Sequence, residues 1–166
     1  MINLVNKEPR IEVLKEKKLV GKSLQMSFAE NKTVELWKSF MPFRNEIQNT
    51  NGSNLYSMQL FEPGFFEMFS PLNKFEKRAA IEVRNFDSVP AEIDKFILPG
   101  GLYAVFRYRG KASEAAETFG YIYYSWLPNS GYTLDDRPHF EILGEKYKND
   151  HPDSEEEIWV PVRMRA

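Results

Sequence analysis

A single glutamate, Glu141, stands among apolar residues in the segment PHFEIL at positions 138–143. If this segment is a β-strand, His139 and Leu143 share a face with Glu141. Burying an unpaired carboxylate costs free energy, so the position requires a cation, a hydrogen-bond donor or water. Two interpretations stay open: a solvated charge on an exposed strand face, or an anion in an aromatic pocket for cationic, hydrophobic ligands. In a pocket, burial would also raise the pKa of Glu141 and make it a candidate general acid or base.

The chain contains 13 Phe, 8 Tyr and 3 Trp, which are enough aromatic residues to line such a pocket. The same set is typical of a large core, because aromatic rings carry much of the buried area. Trp126, at the predicted end of a helix, is either a core anchor or a pocket wall. The candidate ligand-contacting residues are Glu141, Trp126, Tyr103, Tyr56, Met58 and Trp159.

Composition excludes several classes of function. The chain has 166 residues, enough for one domain with its own core, and a net charge of -2. Because no overall positive field attracts nucleic acid or anionic lipid, we expect no direct nucleic-acid binding. The chain has no cysteine and only two histidines, so we expect no metal site and no cofactor. No apolar run approaches the ~20 residues of a membrane span, and no signal-peptide core is present, which favours a cytoplasmic protein without membrane contact.

Other sequence templates fail. Gly100-Gly101 lacks the spacing of a phosphate-binding loop or a dinucleotide fingerprint. No serine lies in a nucleophile elbow. The acidic run at 153–157 lacks the alternating ligand positions and the glycine of a calcium loop.

The elements predicted to position these residues repeat in the same order. In each half, an alternating strand is followed by a helix and two further strands. Asn31 and Thr33 offer N-cap chemistry for the first helix, and Ser113 for the second. We predict an N-terminal extension at 1–9 and one domain at 10–166, with halves at about 10–87 and 94–166. A groove between two such units is a common ligand site. The predicted strands are 20–28, 55–61, 79–83, 102–108, 138–143 and 158–164, and the predicted helices begin at 33 and 113.

Several stretches, taken in order, resemble the GyrI-like effector-binding family, which also supplies the ligand domains of AraC-type and multidrug-sensing transcription regulators. They are EKKLVG at 16–21, Leu36-Trp37, LPGGLYAVF at 98–106, Trp126-Leu127-Pro128, and Arg137-Pro138 with Phe140-Glu141. The resemblance runs from about Arg10 to Arg165. It implies an α+β fold of duplicated βαββ units with pseudo-two-fold symmetry and a ligand cleft between the halves.

The resemblance also implies roles for individual residues. In this family a glutamate inside an aromatic cleft contacts lipophilic cations, and Glu141 matches that position. Trp126 is similar to a cleft-lining tryptophan. Tyr56, Tyr103 and Trp159 match less directly, because the aromatic residues of this family shift between strands.

Three functions follow as hypotheses, and whether the protein is an enzyme stays open. Only about ten residues precede the predicted domain, so we expect a stand-alone member without a helix-turn-helix. The leading hypothesis is a binding protein for hydrophobic, cationic, aromatic small molecules. The second is a hydrolase that opens electrophilic cyclopropane rings of genotoxic compounds with the same glutamate. The third is a protein-interaction module, such as a DNA gyrase modulator, for which the segment at 65–69 offers a surface unless it is a lid.

Overall fold

The computed structural model describes residues 2–166, and its secondary structure follows the predicted order. The strands are β1 (Arg10–Leu14), β2 (Lys17–Met26), β3 (Thr50–Leu60), β4 (Phe75–Val83), β5 (Asp94–Leu98), β6 (Gly101–Arg109), β7 (Tyr132–Leu134), β8 (His139–Leu143) and β9 (Glu155–Met164). The helices are α1 (Thr33–Phe40), α2 (Ala116–Tyr121) and α3 (Leu127–Asn129), and a π-helical segment (Ile122–Trp126) joins the last two. Short 3₁₀ turns occupy Met41–Glu46 and Ala112–Glu114. Between residues 2 and 166, no helix is long and apolar enough to cross a membrane.

The strands form an antiparallel sheet in the order β1-β6-β9-β8-β3-β4-β2-β5, with β7 added beside β9. Two-residue bends separate β1 from β2 and β5 from β6. Leu14 pairs with Gly101 and Lys17 pairs with Leu98, so the two bent ribbons run side by side through both bends. This link connects the two ends of the strand order, and the sheet curls into a half-barrel.

Close approach of the two bends requires glycine. A methyl group at Gly100 would lie 2.6 Å from the carbonyl oxygen of Leu14, and Gly101 has a φ of 148°. Both constraints disfavour any residue with a side chain. The Pro-Gly-Gly sequence at 99–101 therefore serves the closure of the sheet.

The two halves are related by pseudo-two-fold symmetry, as predicted. The strand order is symmetric about the β8–β3 pair, and each half runs strand, helix, strand, strand. Ser57 and Glu141, at the centre of that pair, stand opposite each other in the antiparallel register. The predicted duplication of a βαββ unit is confirmed.

Both helical regions pack on the same face of the sheet, which we call the helix face. Residues of α1 form a core with Val20, Ala79 and Ile81, and residues of the π-helical segment form a core with Phe106 and Ile158. The opposite face carries a third core, the strand cluster, in which every member lies on a strand. Its members are Leu14, Leu19, Tyr56, Met58, Ala80, Phe96, Leu98, Tyr103, Val105, Phe140 and Trp159.

Some local predictions were wrong or incomplete. The expected N-cap, Ser113, lies inside a 3₁₀ turn, and its hydroxyl donates to Asp150 Oδ1 at 2.7 Å, while α2 begins at Ala116. The strands β1, β5 and β7 were not predicted. The segment before β1 also pairs with the sheet, since Val5 N donates to Arg107 O at 2.8 Å.

Candidate functional site

The centre of the helix face is polar. Glu141 on β8 stands opposite Ser57 on β3, and the next pair along the same face is His139 with Gln59. Side chains of directly opposed residues point to the same side of a sheet. The prediction that His139 and Glu141 share a face is confirmed, and both lie where the two halves meet.

Glu141 is a carboxylate with little direct support. It is partly exposed, and its Oε1 accepts a long hydrogen bond of 3.4 Å from Gln59 Nε2. Among residues 2–166, it forms no salt bridge within 4.0 Å. Burial among protein atoms raises the pKa of Glu141 to about 7, against the opposing effects of Lys77 and Gln59. The group therefore changes charge near neutral pH.

Two further charged residues interact with Glu141. Lys77 on β4 and Glu156 on β9 both lie on the helix face, two positions before Ala79 and Ile158 respectively. Burial and the charge of Glu141 hold the pKa of Glu156 well above its usual range. Burial lowers the pKa of Lys77, whose Nζ donates to Thr33 Oγ1 at 3.0 Å. Lys77 thus interacts electrostatically with both carboxyl groups, Glu141 and Glu156.

A neutral hydrogen-bonded pair borders the carboxylates. The Tyr123 hydroxyl and His139 Nδ1 lie 2.8 Å apart. Burial, assisted by the charge of Arg137, lowers the pKa of His139 to about 3, so the imidazole is neutral at physiological pH. Burial and the nearby Glu141 raise the pKa of Tyr123, which therefore keeps its proton. Tyr123 therefore places a protonated hydroxyl group near Glu141.

Aromatic rings cover this polar centre. Phe66, from the loop after β3, stacks on Tyr123 with ring centroids 4.4 Å apart and planes 18° apart. Phe61 meets the His139 ring edge-on at 4.9 Å. Phe65 is buried, whereas Met68 and Phe69 are exposed. The first half of the 65–69 segment therefore packs over the junction of the halves, whereas its second half is exposed.

The structure separates the predicted ligand-contacting residues into three places. Glu141 lies at the centre of the helix face. Trp126 packs edge-on against Phe106 at 5.2 Å and lines a cavity beside the N-terminal segment, which does not include Glu141.

The remaining four residues belong to the strand cluster on the opposite face: Tyr56, Met58, Tyr103 and Trp159. Their positions correct the expectation that they accompany Glu141. Phe140, the neighbour of Glu141 in β8, contacts Tyr56, Tyr103 and Trp159 with centroids 5.7, 5.3 and 5.2 Å apart. Because successive strand residues point to opposite faces, the sheet itself lies between these rings and the carboxylate.

Several residues of the site were missed from the sequence. Lys77 and Glu156 are charged residues in phase with the apolar face of their strands, before Ala79 and Ile158. That phase is a readable signal of a buried or semi-buried charge. Tyr123 and Phe66 carried no such signal, because their contact depends on how a loop of one half meets a helix of the other.

The arrangement supports two kinds of chemistry. A carboxylate that is poorly hydrated and lacks a salt bridge attracts cations, and rings beside it favour aromatic ones. Two interacting carboxyl groups with raised pKa values can also differ in protonation state near neutral pH, so that one acts as acid and the other as base. Within the described range 2–166, no group of three or more His, Cys, Asp or Glu side chains is arranged to hold a metal ion.

Comparisons with known proteins place this geometry in a family. The model of the GyrI-like small molecule binding domain matches residues 7–163. The transcriptional regulator BrlR of Pseudomonas aeruginosa is 26% identical over 130 residues, which cover 77% of this chain and 45% of the regulator. The chain thus spans less than half the length of this curated relative.

Solved structures share the fold at low sequence identity. SAV2435 bound to tetraphenylphosphonium has a TM-score of 0.71 at 18% identity, covering 94% of both chains. The C-terminal domain of EcmrR has a TM-score of 0.66 at 17% identity, covering 95% of this chain and 98% of that domain. A hydrolase encoded by lin2189 of Listeria innocua has a TM-score of 0.61 at 12% identity, covering 95% and 93%. Since the family model spans nearly the whole sequence, the chain belongs to the GyrI-like small-molecule-binding family.

Proposed function

We propose that the protein binds hydrophobic, aromatic small molecules with a positive charge, and that Glu141 is the central anion of the site. The observation that carries this proposal is the environment of the carboxylate. It is only partly exposed, adjoins Tyr123 and lacks a salt bridge within residues 2–166. A lipophilic cation supplies the missing charge at a low desolvation cost, and its rings can stack on the aromatic cover.

The comparisons support the class of ligand. The family is described as small-molecule binding, and the structure of SAV2435 contains tetraphenylphosphonium, an aromatic cation. In this chain, Phe66 already occupies the face of Tyr123, and it belongs to a loop with exposed neighbours. Displacement of Phe66 by a ligand ring would exchange one stacked contact for another, so entry of the ligand costs little aromatic contact energy.

The test uses a matched pair of probes, methyltriphenylphosphonium and the neutral triphenylphosphine oxide. Calorimetric titration of the wild type should give the tighter dissociation constant for the cation. Glu141→Gln should weaken binding of the cation by about 10- to 30-fold, as expected for a desolvated contact of ~2 kcal/mol. The affinity for the neutral probe should not change. Glu157→Gln is the control, because Glu157 lies next to Glu156 on the other face of β9 and pairs with Arg10.

The pH dependence gives a second readout. Because the pKa of Glu141 lies near 7, the ionised fraction increases between pH 6 and pH 8, and affinity for the cation should increase with it. Triphenylphosphine oxide should bind equally at both pH values. Equal loss of both probes in Glu141→Gln, or a cation affinity that is independent of pH, would contradict the central role of the charge.

A hydrolase is the second candidate, and Glu156 is the observation that favours it. Acid–base chemistry requires a second protonatable group near Glu141, and Glu156 is such a group, because burial and, to a smaller extent, the charge of Glu141 raise its pKa. The likeness to a Listeria innocua hydrolase is one of fold. Ionised Glu141 would take a proton from water, whose oxygen attacks a ring carbon of an activated cyclopropane. The electron pair of the broken C–C bond would pass to the conjugated acceptor, and protonated Glu156 or Tyr123 would supply its proton.

This candidate is tested by turnover. A cyclopropane bearing two ester groups is incubated with the protein in H₂¹⁸O, and the ring-opened alcohol is detected by mass spectrometry. Turnover that incorporates ¹⁸O and is lost in Glu141→Gln and Glu156→Gln supports hydrolysis. Saturable binding of methyltriphenylphosphonium without any ring opening leaves the protein a binder and removes the hydrolase.

A further inference from the structure

A cavity lies outside the Glu141 site, between the segment before β1 and the π-helical segment. Its volume is about 350 Å³, and Glu8, Ile11, Tyr121, Ser125, Trp126 and Tyr132 are among the residues that line it. This volume falls at the small end of the range of ligand pockets. We call this cavity the Trp126 pocket.

The aromatic wall of the Trp126 pocket is held in a fixed orientation. Trp126 and Tyr132 stack with centroids 6.3 Å apart and planes 20° apart. On another side, the Trp126 indole meets the ring of Phe106 at 86°. A ring held by neighbours loses little conformational freedom when a ligand binds, which favours affinity.

The opposite wall is also held in place. Asn6 accepts a hydrogen bond from Arg107 N at 2.8 Å through its Oδ1, and its Nδ2 donates to the carbonyl oxygen of Glu8 at 3.1 Å. The segment that contributes Glu8 is therefore fastened to β6. The pocket is formed by packed elements and does not depend on a loop tip.

The charge of the lining selects the ligand. Glu8 is the charged side chain among the described residues that line the pocket, and it is exposed at its mouth. Electron-rich Trp and Tyr faces attract cations in the same way as a carboxylate does. A small aromatic ring with an attached ammonium group matches both the wall and the charge.

We propose that the Trp126 pocket is a second small-molecule site, which binds a compact aromatic ammonium compound independently of the Glu141 site. The two sites use different residues of one π-helical segment: Tyr123 adjoins Glu141, and Ser125 and Trp126 line the Trp126 pocket. π-Helical segments within α-helices are frequent at functional sites. The inference does not rest on the proposed function of Glu141.

The experiment observes each tryptophan separately. Protein labelled with 5-fluorotryptophan gives ¹⁹F resonances for Trp37, Trp126 and Trp159, and Trp126→Phe assigns the relevant one. Titration with benzyltrimethylammonium should shift the Trp126 resonance saturably. Neopentylbenzene, its neutral isostere, should bind more weakly, and Glu8→Gln should weaken the ammonium compound by roughly two- to fivefold.

Two variants that fill the cavity serve as the steric test. Ser125 is exposed on the helix, and a methyl group at Gly131 meets no atom within 4 Å, so Ser125→Phe and Gly131→Phe can fold normally. Either variant, if its circular dichroism is that of the wild type, should abolish the titration. A Trp126 resonance that does not move, or that still titrates in a folded filled variant, overturns the second site. Glu141→Gln should leave the titration unchanged; its loss there would assign the ammonium compound to the Glu141 site instead.

Discussion

At the scale of single residues, Glu141 is a group that the fold maintains at a cost. The hydrogen bond from Gln59 is long, at 3.4 Å, and Lys77 acts on the carboxylate without a salt bridge within 4.0 Å. Removing such a charge should therefore stabilise the protein while it impairs the function. Functional groups that oppose stability are common in binding and catalytic sites.

The first prediction concerns the pH dependence of this cost. The ordinary pKa of a glutamate is 4.5, and the folded value for Glu141 is about 7. Between these values the unfolded chain releases a proton that the folded chain keeps, so stability falls as pH rises. Glu141→Gln should therefore be more stable than the wild type by about 1–3 kcal/mol at pH 8 and no more stable at pH 4. Urea unfolding at both pH values measures the difference.

The matched control for this prediction is Glu157→Gln. That carboxylate accepts from Arg10 at 2.8 Å, so its loss should not stabilise the protein at either pH. A stabilisation of Glu141→Gln that is the same at pH 4 and pH 8 would show that the gain comes from packing and not from charge.

The sequence predicted the central residue but not its surroundings, for a physical reason. Alternation within PHFEIL places Glu141 and Phe140 on opposite faces of β8. Which face of β3 or β9 joins them depends on the register between strands, which no single segment contains. Tyr56 and Trp159 were therefore grouped with Glu141, whereas the register places them with Phe140.

At the scale of elements, β2 and β4 approach each other closely at Gly21. Gly21 in β2 pairs with both Ala80 of β4 and Asp94 of β5. A methyl group at Gly21 would lie 1.9 Å from the carbonyl oxygen of Ala79. A side chain at Gly21 would therefore force β4 to shift, and β4 is the strand that contributes Lys77 to the Glu141 site.

The second prediction follows from this contact. Gly21→Ala should lower the free energy of unfolding by about 2–4 kcal/mol, because overpacking against backbone is relieved only by separating the strands. Urea titration followed by circular dichroism measures it. Gly131→Ala is the matched control, since open space surrounds that position, and its effect should stay within about 0.5 kcal/mol. Equal effects of the two substitutions would contradict the close approach of β2 and β4.

Elements with strong local signals were predicted, and those that depend on partners were not. The start of α1 at Thr33 and the strands around Tyr56, Tyr103 and Glu141 follow from periodicity and turn residues. β7 has three residues, and its pairing with β9 is its main support. Ser113 has the chemistry of an N-cap, but its hydroxyl finds Asp150 in a distant loop, and tertiary contact overrides the local preference.

At the scale of the whole molecule, two similar halves produce an asymmetric site. Ser57 and Glu141 are 84 positions apart and face each other across the central β3–β8 pair. Lys77 and Glu156 stand in corresponding places on the flanking strands β4 and β9. At corresponding positions, the first half therefore carries a hydroxyl and a lysine, whereas the second half carries two carboxyl groups. The negative charge of the site comes from the second half.

The third prediction tests whether binding requires only a carboxylate at the centre of the helix face, or a carboxylate on β8 in particular. Ser57→Glu combined with Glu141→Ser moves the carboxylate to the facing strand, and directly opposed Cα atoms in antiparallel strands are only about 4.5–5.5 Å apart. The carboxylate stays on the helix face at the centre of the sheet. The double variant should bind methyltriphenylphosphonium within about tenfold of the wild type, whereas Glu141→Ser alone should lose about 10- to 30-fold.

The outcome separates two causes of specificity. If the double variant binds as Glu141→Ser does, the position of the carboxylate beside Gln59 and Tyr123 is essential, and a central charge is insufficient. Recovery of binding shows that the site recognises a cation through a charge at the pseudo-two-fold axis, with aromatic cover from Phe66. Since the frame of the two halves is the same on either side of that axis, recovery is the result that the strand register leads us to expect.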